Sequence, residues 1–244
     1  MAKERLDVIL VKKNIFESRE KAIREIMAGN VLVNEKIVTK AGFLISEEDN
    51  IRVKEIFPYV SRGALKLKYA LEYFNLDVTD KVALDVGAST GGFTEILLEK
   101  GAKFVYAVDS GVNQLAWKLR THPRVAVMEK TNARYLDKIQ FDPVPEVATV
   151  DVSFISVTKI LPSLLNVLKH GFWIVVLIKP QFELEKQKIL KGGVAKDEYR
   201  KEAIDKVLSF STSIGLKTHA VIESPITGYK SGNIEYLTYF TDLK

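Results

Sequence analysis

The 244-residue sequence contains no cysteine and only three histidines, His122, His170 and His219. The absence of cysteine excludes a disulfide framework, a thiol nucleophile and a thiolate metal site. The histidines are scattered without the spacing of metal ligands, and we therefore predict no metal centre. Long hydrophobic runs are also lacking, since stretches such as 172–178 are far too short to span a bilayer.

No secretory signal opens the sequence, and we expect a cytoplasmic protein. Hydrophobic residues make up 47% and charged residues 27% of the chain, which is typical of a globular protein. The length is sufficient for one large domain and a second, small one. The net charge of +5 is compatible with a polyanionic partner such as a nucleic acid.

Residues 82–94 contain the most informative pattern in the chain. Branched apolar residues predict a buried strand at 82–86, which leads into a turn rich in glycine and other small residues. Helical spacing then begins at Phe93 and ends at Gly101. A strand, a glycine turn and a helix form the first unit of a nucleotide-binding α/β fold. A tight turn that binds no ligand would explain this unit about equally well.

A second apolar strand, residues 103–109, ends in Asp109, where an acid accepts hydrogen bonds from nucleoside ribose hydroxyls. A third strand, 125–128, is followed by Asn132, which is either a contact to the adenine or ribose or simply a turn residue. These units predict an adenosine-containing cofactor, NAD or S-adenosylmethionine, and no P-loop motif is present. The predicted cofactor-binding residues are Asp85, Gly87, Ala88, Ser89, Thr90, Gly91, Gly92, Phe93, Asp109, Asn132 and Ala133.

Two further predicted strands end in charged residues. The strand 146–151 ends in Asp151, and the strand 172–178 is followed directly by Lys179. Because ligands of open α/β sheets bind at the carboxyl edge of the strands, we expect both side chains to be adjacent beside the cofactor. Such an ion pair can be purely structural, but its position favours a role in catalysis.

The rest of the chain alternates between helices and strands. The patterns predict a linker at 54–60, a helix at 61–74 capped by Ser61, and helices at 115–120 and 157–168. Polar residues at 183–197 predict a mobile loop beside the site. A helix to about residue 214 and strands at 216–222 and 234–240 complete the prediction.

Residues 1–53 form a separate module. The patterns predict a helix ending near residue 13, a helix at 19–28 capped by Ser18, a hairpin turning at Asn34-Glu35 and a strand at 50–53. With Arg5-Leu6-Asp7 near the start, this order resembles the S4 RNA-binding domain. The resemblance implies contacts to the phosphates and shape of folded RNA. Judged by charge alone, these basic residues would indicate only a solvated face of a helix. The RNA-binding residues predicted in this module are Arg5, Arg19, Lys21, Lys36 and Lys40.

Residues 61–244 resemble the FtsJ-type ribose 2′-O-methyltransferases. Those enzymes carry a lysine before the first strand, an aspartate after the fourth, a lysine after the fifth and a glutamate near the last. The matching positions are Lys66, Asp151, Lys179 and Glu235. On periodicity alone Lys66 would be an ordinary exposed lysine. The S4-like module and the motifs at 85–94 and 153–156 make the whole chain similar to the TlyA family, often labelled hemolysin A.

The resemblance implies an α/β, class I Rossmann-like methyltransferase fold with a seven-stranded, mostly parallel sheet and a small α+β S4 domain. It implies S-adenosylmethionine as the cofactor and a ribose 2′-hydroxyl of ribosomal RNA as the acceptor. We assign Lys179 as the general base, and Lys66 as the group that orients the hydroxyl and stabilises developing negative charge. Asp151 and Glu235 would position the two ammonium groups. We also expect Arg62, Arg134 and Phe182 to contact RNA.

Within the TlyA family, longer members modify cytidines of both ribosomal subunits and shorter members only the large one. The extent of this chain favours the short type, and hence a cytidine of the large-subunit RNA. Three alternatives remain open: a methyltransferase acting on transfer RNA, a non-catalytic RNA-binding protein, and a membrane-active protein as the hemolysin label suggests. The oligomeric state remains open between a monomer and a weak dimer.

Overall fold

The computed structural model of the protein describes residues 3–54, 57–228 and 232–243. The chain forms two compact units, residues 1–58 and 59–244. The predicted linker at 54–60 spans the boundary between the two units, and its residues 55 and 56 lie outside the described ranges.

Two short helices pack against short strands in the N-terminal unit. Its elements are β1 (Glu4–Arg5), α1 (Leu6–Lys12), α2 (Arg19–Met27), β2 (Val31–Val33), β3 (Lys36–Ile37), β4 (Leu44–Ile45) and β5 (Ile51–Val53). Strands β3, β2 and β5 form an antiparallel sheet, and β1 pairs with β4. The predicted helices, hairpin and closing strand are confirmed. The sequence patterns do not predict the β1–β4 pair, because a strand of two residues is too short to show a periodicity.

Local signals explain where these elements begin and end. Ser18 Oγ accepts a hydrogen bond from the backbone N–H of Lys21 at 3.2 Å, and thereby caps α2 as predicted. The hairpin turns at Asn34 and Glu35, whose φ angles of 48° and 62° are typical of a type I′ turn. The largest fully buried side chains at the centre of this unit are Leu6, Leu10, Ile26 and Ile45.

A seven-stranded sheet forms the C-terminal unit. Its elements are α3 (Gly63–Tyr73), β6 (Val82–Val86), α4 (Gly92–Glu99), β7 (Phe104–Val108), α5 (Trp117–Arg120), β8 (Val125–Met128), β9 (Val147–Val150), α6 (Leu161–Leu165), β10 (Trp173–Ile178), α7 (Pro180–Glu183), α8 (Arg200–Ser213), β11 (Leu216–Glu223) and β12 (Tyr236–Asp242). Short 3₁₀ helices occupy Ala133–Lys138, Val157–Lys159, Lys186–Lys188 and Asp197–Tyr199.

The strands lie in the order β11-β12-β10-β9-β6-β7-β8. Strands β10, β9, β6, β7 and β8 are parallel, and β12 pairs antiparallel with both β10 and β11. Alternate residues of β6 point to opposite faces, where Leu84 packs in one core with α6 and α8, and Ala83 in another with α3 and α4. The predicted fold, a mostly parallel seven-stranded sheet covered on both faces, is confirmed.

The strand register brings the functional positions to one edge of the sheet. Val86 is level with both Val108 and Val150, and the next residues along the three strands are Gly87, Asp109 and Asp151. Strand β10 continues the same edge beside β9 and ends one residue before Lys179.

Three predicted helices are shorter than expected. The helix predicted at 157–168 is a 3₁₀ turn followed by the separate helix α6, because Pro162 is tolerated only in the first turn of a helix. Helix α3 begins at Gly63, so Ser61 is not its N-cap. Helix α5 begins at Trp117, because Ala116 has an extended backbone with ψ of 140°.

The polar stretch 183–197 contains a 3₁₀ turn and an antiparallel bridge between Ile189 and Ala195. The mobility expected for this stretch stays a prediction. Within the ranges that the structure describes, no helix is both long and apolar enough to cross a membrane.

Candidate active site

The turn between β6 and α4 approaches the end of β9 so closely that one position requires glycine. Gly87 has a φ of +89°, and a Cβ built on it would lie 2.3 Å from the carbonyl oxygen of Asp151. No side chain fits there, so Gly87 allows the turn and the first residue after β9 to meet.

A cavity of about 460 Å³ opens at the carboxyl ends of β6, β7, β8 and β9. The carboxylate of Asp109 lies in its wall, where Oδ2 accepts a hydrogen bond from the N–H of Ser89 at 2.8 Å and Oδ1 accepts one from Gly111 at 2.7 Å. Carboxylate oxygens have several acceptor sites, so Asp109 retains acceptor capacity for a ligand. The predicted cofactor residues that line this cavity are Gly87, Ser89, Asp109, Asn132 and Ala133.

A second cavity, of about 580 Å³, lies on the other side of the glycine turn and shares Gly87, Ser89 and Asp151 with the first. The predicted residues that line it are Lys66, Ala88, Thr90, Gly92, Phe93 and Arg62. The two cavities therefore meet at the turn, with Asp151 accessible from both.

Two predicted cofactor residues line neither cavity. Gly91 lies against helix α5, and a Cβ on it would be 2.2 Å from Leu119 Cδ1. Asp85 has no exposed surface, and its carboxylate accepts hydrogen bonds from Thr94 Oγ1 at 2.6 Å and Thr149 Oγ1 at 3.0 Å. Gly91 makes room for α5, and Asp85 joins β6, α4 and β9. Direct contact of these two residues with the cofactor stays a prediction.

Burial raises the pKa of Asp85 to about 7, although the hydrogen bonds from Thr94 and Thr149 favour its charged form. The loss of hydration raises the pKa of this carboxyl group by more than the two hydroxyl donors lower it. Asp85 is therefore near its titration midpoint at neutral pH.

The four residues of the predicted catalytic set form two ion pairs. Lys66 Nζ lies 2.5 Å from Glu235 Oε2, and Lys179 Nζ lies 2.6 Å from Asp151 Oδ1. All four side chains are largely buried, with exposed fractions of 9% and 3% in the first pair and 11% and 19% in the second. The expected contact between Asp151 and Lys179 is confirmed. Lys66, which periodicity alone makes an exposed lysine, is buried because α3 packs beside the segment that leads into β12.

Desolvation offsets much of the attraction in buried ion pairs, so the two pairs are weak evidence for a stabilising role. Charged groups that are buried at the wall of a cavity are typical of functional sites. Lys66 and Asp151 both line the second cavity. Two ammonium groups and two carboxylates at this place can orient a polar substrate, move a proton and compensate developing charge.

A loop at residues 152–156 follows Asp151; its motif supports the family resemblance, but the sequence patterns predict no contact for its residues. Ser153 Oγ accepts a hydrogen bond from Lys179 Nζ at 3.0 Å. Phe154 is 91% exposed and has a φ of 64°, which is rare for a bulky residue. Its ring centroid lies 5.2 Å from that of Phe182, one of the predicted RNA contacts. Neither loop residue has a periodic signal, since both lie between a strand and a 3₁₀ turn.

Among the predicted RNA contacts of the N-terminal unit, two arginines share one carboxylate. Arg5 Nε and Arg19 Nε each lie 2.9 Å from the carboxylate of Asp7, which has no exposed surface. The hydrogen bond from Arg5 holds the pKa of Asp7 below its ordinary value, and Arg19 adds to this effect. Both arginine side chains are about half exposed, at 48% and 53%.

The other predicted RNA contacts are distributed over both units. Lys21 pairs with Glu17 at 2.9 Å, and Lys36 and Lys40 are exposed. Arg134 lines the first cavity, and its guanidinium lies 5.4 Å from the ring centroid of Tyr135. Their contact with RNA remains a prediction.

The sheet, the glycine turn and the acid after the second parallel strand define the C-terminal unit as a nucleotide-binding fold of the Rossmann-like class. Residues 59–241 match the FtsJ-like methyltransferase family, and residues 4–51 match the S4 domain family. The chain therefore belongs to the TlyA family of FtsJ-like methyltransferases with an S4 domain.

Several known proteins and solved structures are similar to this chain. Hemolysin A of Brachyspira hyodysenteriae is 46% identical over 239 residues, which cover 97% of this chain and 99% of the relative. The 16S/23S rRNA (cytidine-2′-O)-methyltransferase TlyA of Mycobacterium tuberculosis is 40% identical, with coverage of 96% and 88%. A structure from Streptococcus thermophilus, provisionally named a hemolysin, is 43% identical with a TM-score of 0.74, covering 99% of this chain and 89% of its own.

Proposed function

We propose that this protein transfers a methyl group from S-adenosylmethionine to the 2′-hydroxyl of a cytidine ribose in ribosomal RNA, in the large subunit. The observation that carries the proposal is the position of two ion pairs, Lys66–Glu235 and Lys179–Asp151: Asp151 lines both cavities, and Lys66 lines the second. The name of the M. tuberculosis relative supports the cytidine 2′-hydroxyl of ribosomal RNA as the acceptor.

The chemistry of the first cavity fits S-adenosylmethionine. The carboxylate of Asp109 can accept hydrogen bonds from ribose hydroxyls, and the side-chain amide of Asn132 can contact the adenine. The apolar part of the wall is formed by Val108, Ile155 and Ile160. When bound, S-adenosylmethionine supplies an electrophilic methyl group on a sulfonium. The second cavity, which contains Lys66 and shares Asp151, is then available for the acceptor ribose.

The residues of the two ion pairs have distinct roles in this proposal. A ribose hydroxyl is a poor nucleophile, and its proton must leave as the oxygen attacks. Lys179 first releases its own proton to solvent; as the free amine it then accepts the hydroxyl proton, and Asp151 balances the ammonium that forms again. Lys66 donates a hydrogen bond to the hydroxyl oxygen and stabilises its developing negative charge, while Glu235 holds Lys66 in place.

Methyl transfer from labelled S-adenosylmethionine to unmodified large and small ribosomal subunits tests the proposal directly. We expect label on a cytidine ribose of the large subunit with the wild type, and a loss of at least about a hundredfold with Lys179→Ala. Lys100→Ala is the matched control, because Lys100 also pairs with a glutamate, Glu72 at 3.0 Å, but at the far end of α4.

Each other outcome would contradict a different part of the proposal. Label on the small subunit would correct the substrate, and label on transfer RNA alone would support a transfer-RNA methyltransferase. Binding of S-adenosylmethionine without transfer to any RNA would contradict the enzymatic proposal and favour an RNA-binding protein. Label that persists in Lys179→Ala would contradict the assignment of Lys179 as the base.

A further inference from the structure

The loop at 152–156 is held in a conformation that its own sequence does not favour. Phe154 has a left-handed backbone, with a φ of 64°, and its side chain gains little burial because it is 91% exposed. A bulky residue keeps such a conformation only where surrounding contacts enforce it. Buried hydrogen bonds that can enforce it lie at the carboxyl side of the loop.

Glu183, the last residue of α7, makes these contacts. Its side chain is buried, with 5% of the residue exposed, and its Oε1 accepts a hydrogen bond from the N–H of Val157 at 2.8 Å. Its Oε2 accepts a short hydrogen bond from the hydroxyl of Ser156. Lys206 of α8 lies 3.4 Å from the same carboxylate and donates a hydrogen bond to the backbone carbonyl of Glu183 at 2.5 Å.

This carboxylate links the two strand ends that carry the ion pair of the candidate active site. Helix α7 begins directly after Lys179, so Glu183 lies one helical turn beyond that lysine. The loop begins directly after Asp151 and ends at the two donors that Glu183 binds. Between these ends, Ser153 accepts the hydrogen bond from Lys179. The loop is therefore fastened to the Lys179 segment at its start, its middle and its end.

We propose that Glu183 is a positioning residue for methyl transfer: it holds the loop 152–156 so that Asp151 and Ser153 fix the amine of Lys179. The inference rests on the proposed function only in its kinetic test, which measures methyl transfer. Without the carboxylate, the N–H of Val157 and the hydroxyl of Ser156 lose their buried acceptor, and the loop relaxes from the strained conformation at Phe154. Small displacements of a catalytic group slow the chemical step by up to about a hundredfold.

The kinetic test compares Glu183→Ala with Glu183→Gln, which retains one acceptor for the Val157 N–H. We expect kcat to fall about 10- to 100-fold in Glu183→Ala, with KM for the ribosomal subunit changed less than about twofold, and to recover at least partly in Glu183→Gln. Ser156→Ala removes one of the two donors to the Glu183 carboxylate, and also the cap that Ser156 Oγ gives the N–H of Thr158 at 3.3 Å. The double variant Glu183→Ala/Ser156→Ala should therefore lose less activity than the product of the two single losses.

Glu146→Ala is the matched control, because Glu146 also accepts a backbone hydrogen bond, from Val82 at 3.1 Å, and pairs with Lys169, but at the opposite edge of the sheet. An equal fall of kcat in Glu146→Ala would overturn the proposal, as would losses that multiply in the double variant. So would a kcat of Glu183→Ala equal to that of the wild type.

Hydrogen–deuterium exchange separates failure of this inference from failure of the proposed function, because it requires no activity. We expect the amide of Val157 and the preceding loop amides to exchange at least about tenfold faster in Glu183→Ala than in the wild type, while strand β6 keeps its protection. Unchanged exchange at the loop would overturn the inference even if the wild type proved to be an active methyltransferase.

Discussion

The ammonium group of Lys66 lies 2.5 Å from the carboxylate of Glu235, although 169 positions separate the two residues in the sequence. Helix α3 carries the lysine, and the glutamate directly precedes β12. The pair therefore joins the first helix of the C-terminal unit to its last strand, and it does so beside the second cavity.

Removal of one member of this pair should destabilise the fold, because the other charge stays buried without compensation. We expect Lys66→Met to lower the free energy of unfolding by about 3–5 kcal/mol. The double variant Lys66→Met/Glu235→Gln should regain most of that stability, since neither residue is then charged, but it should remain inactive. Urea denaturation and the methyl-transfer assay measure the two effects. A double variant no more stable than the single one would contradict this explanation.

Gly87 provides a second prediction, with Gly215 as its control. Both glycines have positive φ angles, +89° and +85°, but a Cβ on Gly87 would lie 2.3 Å from the Asp151 carbonyl oxygen, whereas a Cβ on Gly215 meets no atom within 4 Å. We expect Gly215→Ala to cost about 1 kcal/mol through backbone strain alone. Gly87→Ala should cost more and abolish binding of S-adenosylmethionine, as measured by calorimetry. Equal effects of the two substitutions would contradict the close approach as the reason for Gly87.

The elements that the sequence predicts correctly are those with strong local signals or a simple sheet geometry. Alternating apolar residues and the glycine turn predict β6 and α4, and the parallel arrangement places Asp151 beside Lys179 without knowledge of any contact. The helix predicted at 157–168 is wrong because the hydrophobic spacing continues through Pro162, where the backbone cannot remain helical.

The remaining features depend on partners that are distant in sequence. Lys66 resembles an exposed lysine until Glu235 is placed beside it, and only the family resemblance singled it out. Glu183 stands at the start of a polar stretch and looks solvated, yet Ser156 and Val157 bind its carboxylate. Asp85 has the position of a ligand-binding acid, but Thr94 and Thr149 enclose it. Periodicity reports which face of an element is buried, and it does not report such tertiary hydrogen bonds.

The raised pKa of Asp85 makes stability depend on pH in a defined direction. The folded protein binds the Asp85 proton more tightly than the unfolded chain does, with a pKa of about 7 against an ordinary value of 3.8. The stabilisation that comes from this tighter proton binding is fully present below the pKa of the unfolded chain. It is lost as the pH rises through the pKa of the folded protein. The penalty for the buried charge at pH 8 is at most about 4 kcal/mol.

We therefore expect Asp85→Asn to be more stable than the wild type at pH 8, because the variant buries no charge. The difference should shrink steadily as the pH is lowered to 5, where the wild type holds the proton in the folded state. Urea denaturation of both proteins across this range measures the difference, in which the contributions of groups that do not interact with Asp85 cancel. Parallel stability curves would show that Asp85 does not titrate in this range.

Asp7 orients two arginines in the N-terminal unit, which predicts how its loss affects RNA binding. Each guanidinium donates to the buried carboxylate while about half of its side chain stays exposed, at 48% and 53%, which leaves it accessible to phosphate groups. Arg19→Ala removes a positive charge, so it should weaken binding to the large ribosomal subunit and reduce the slope of log K against log salt by about 0.7–1. Asp7→Asn keeps both positive charges but loosens their orientation.

We expect Asp7→Asn to weaken binding by several-fold without reducing the salt slope, because no contact charge is lost. Arg19→Lys should behave like Asp7→Asn, since lysine retains the charge but lacks the planar fork of donors that the carboxylate holds. Filter binding over a series of salt concentrations distinguishes these cases. If Asp7→Asn bound the subunit as tightly as the wild type, then the two arginines would need no fixed orientation, and any contact they make with RNA would be simple charge attraction.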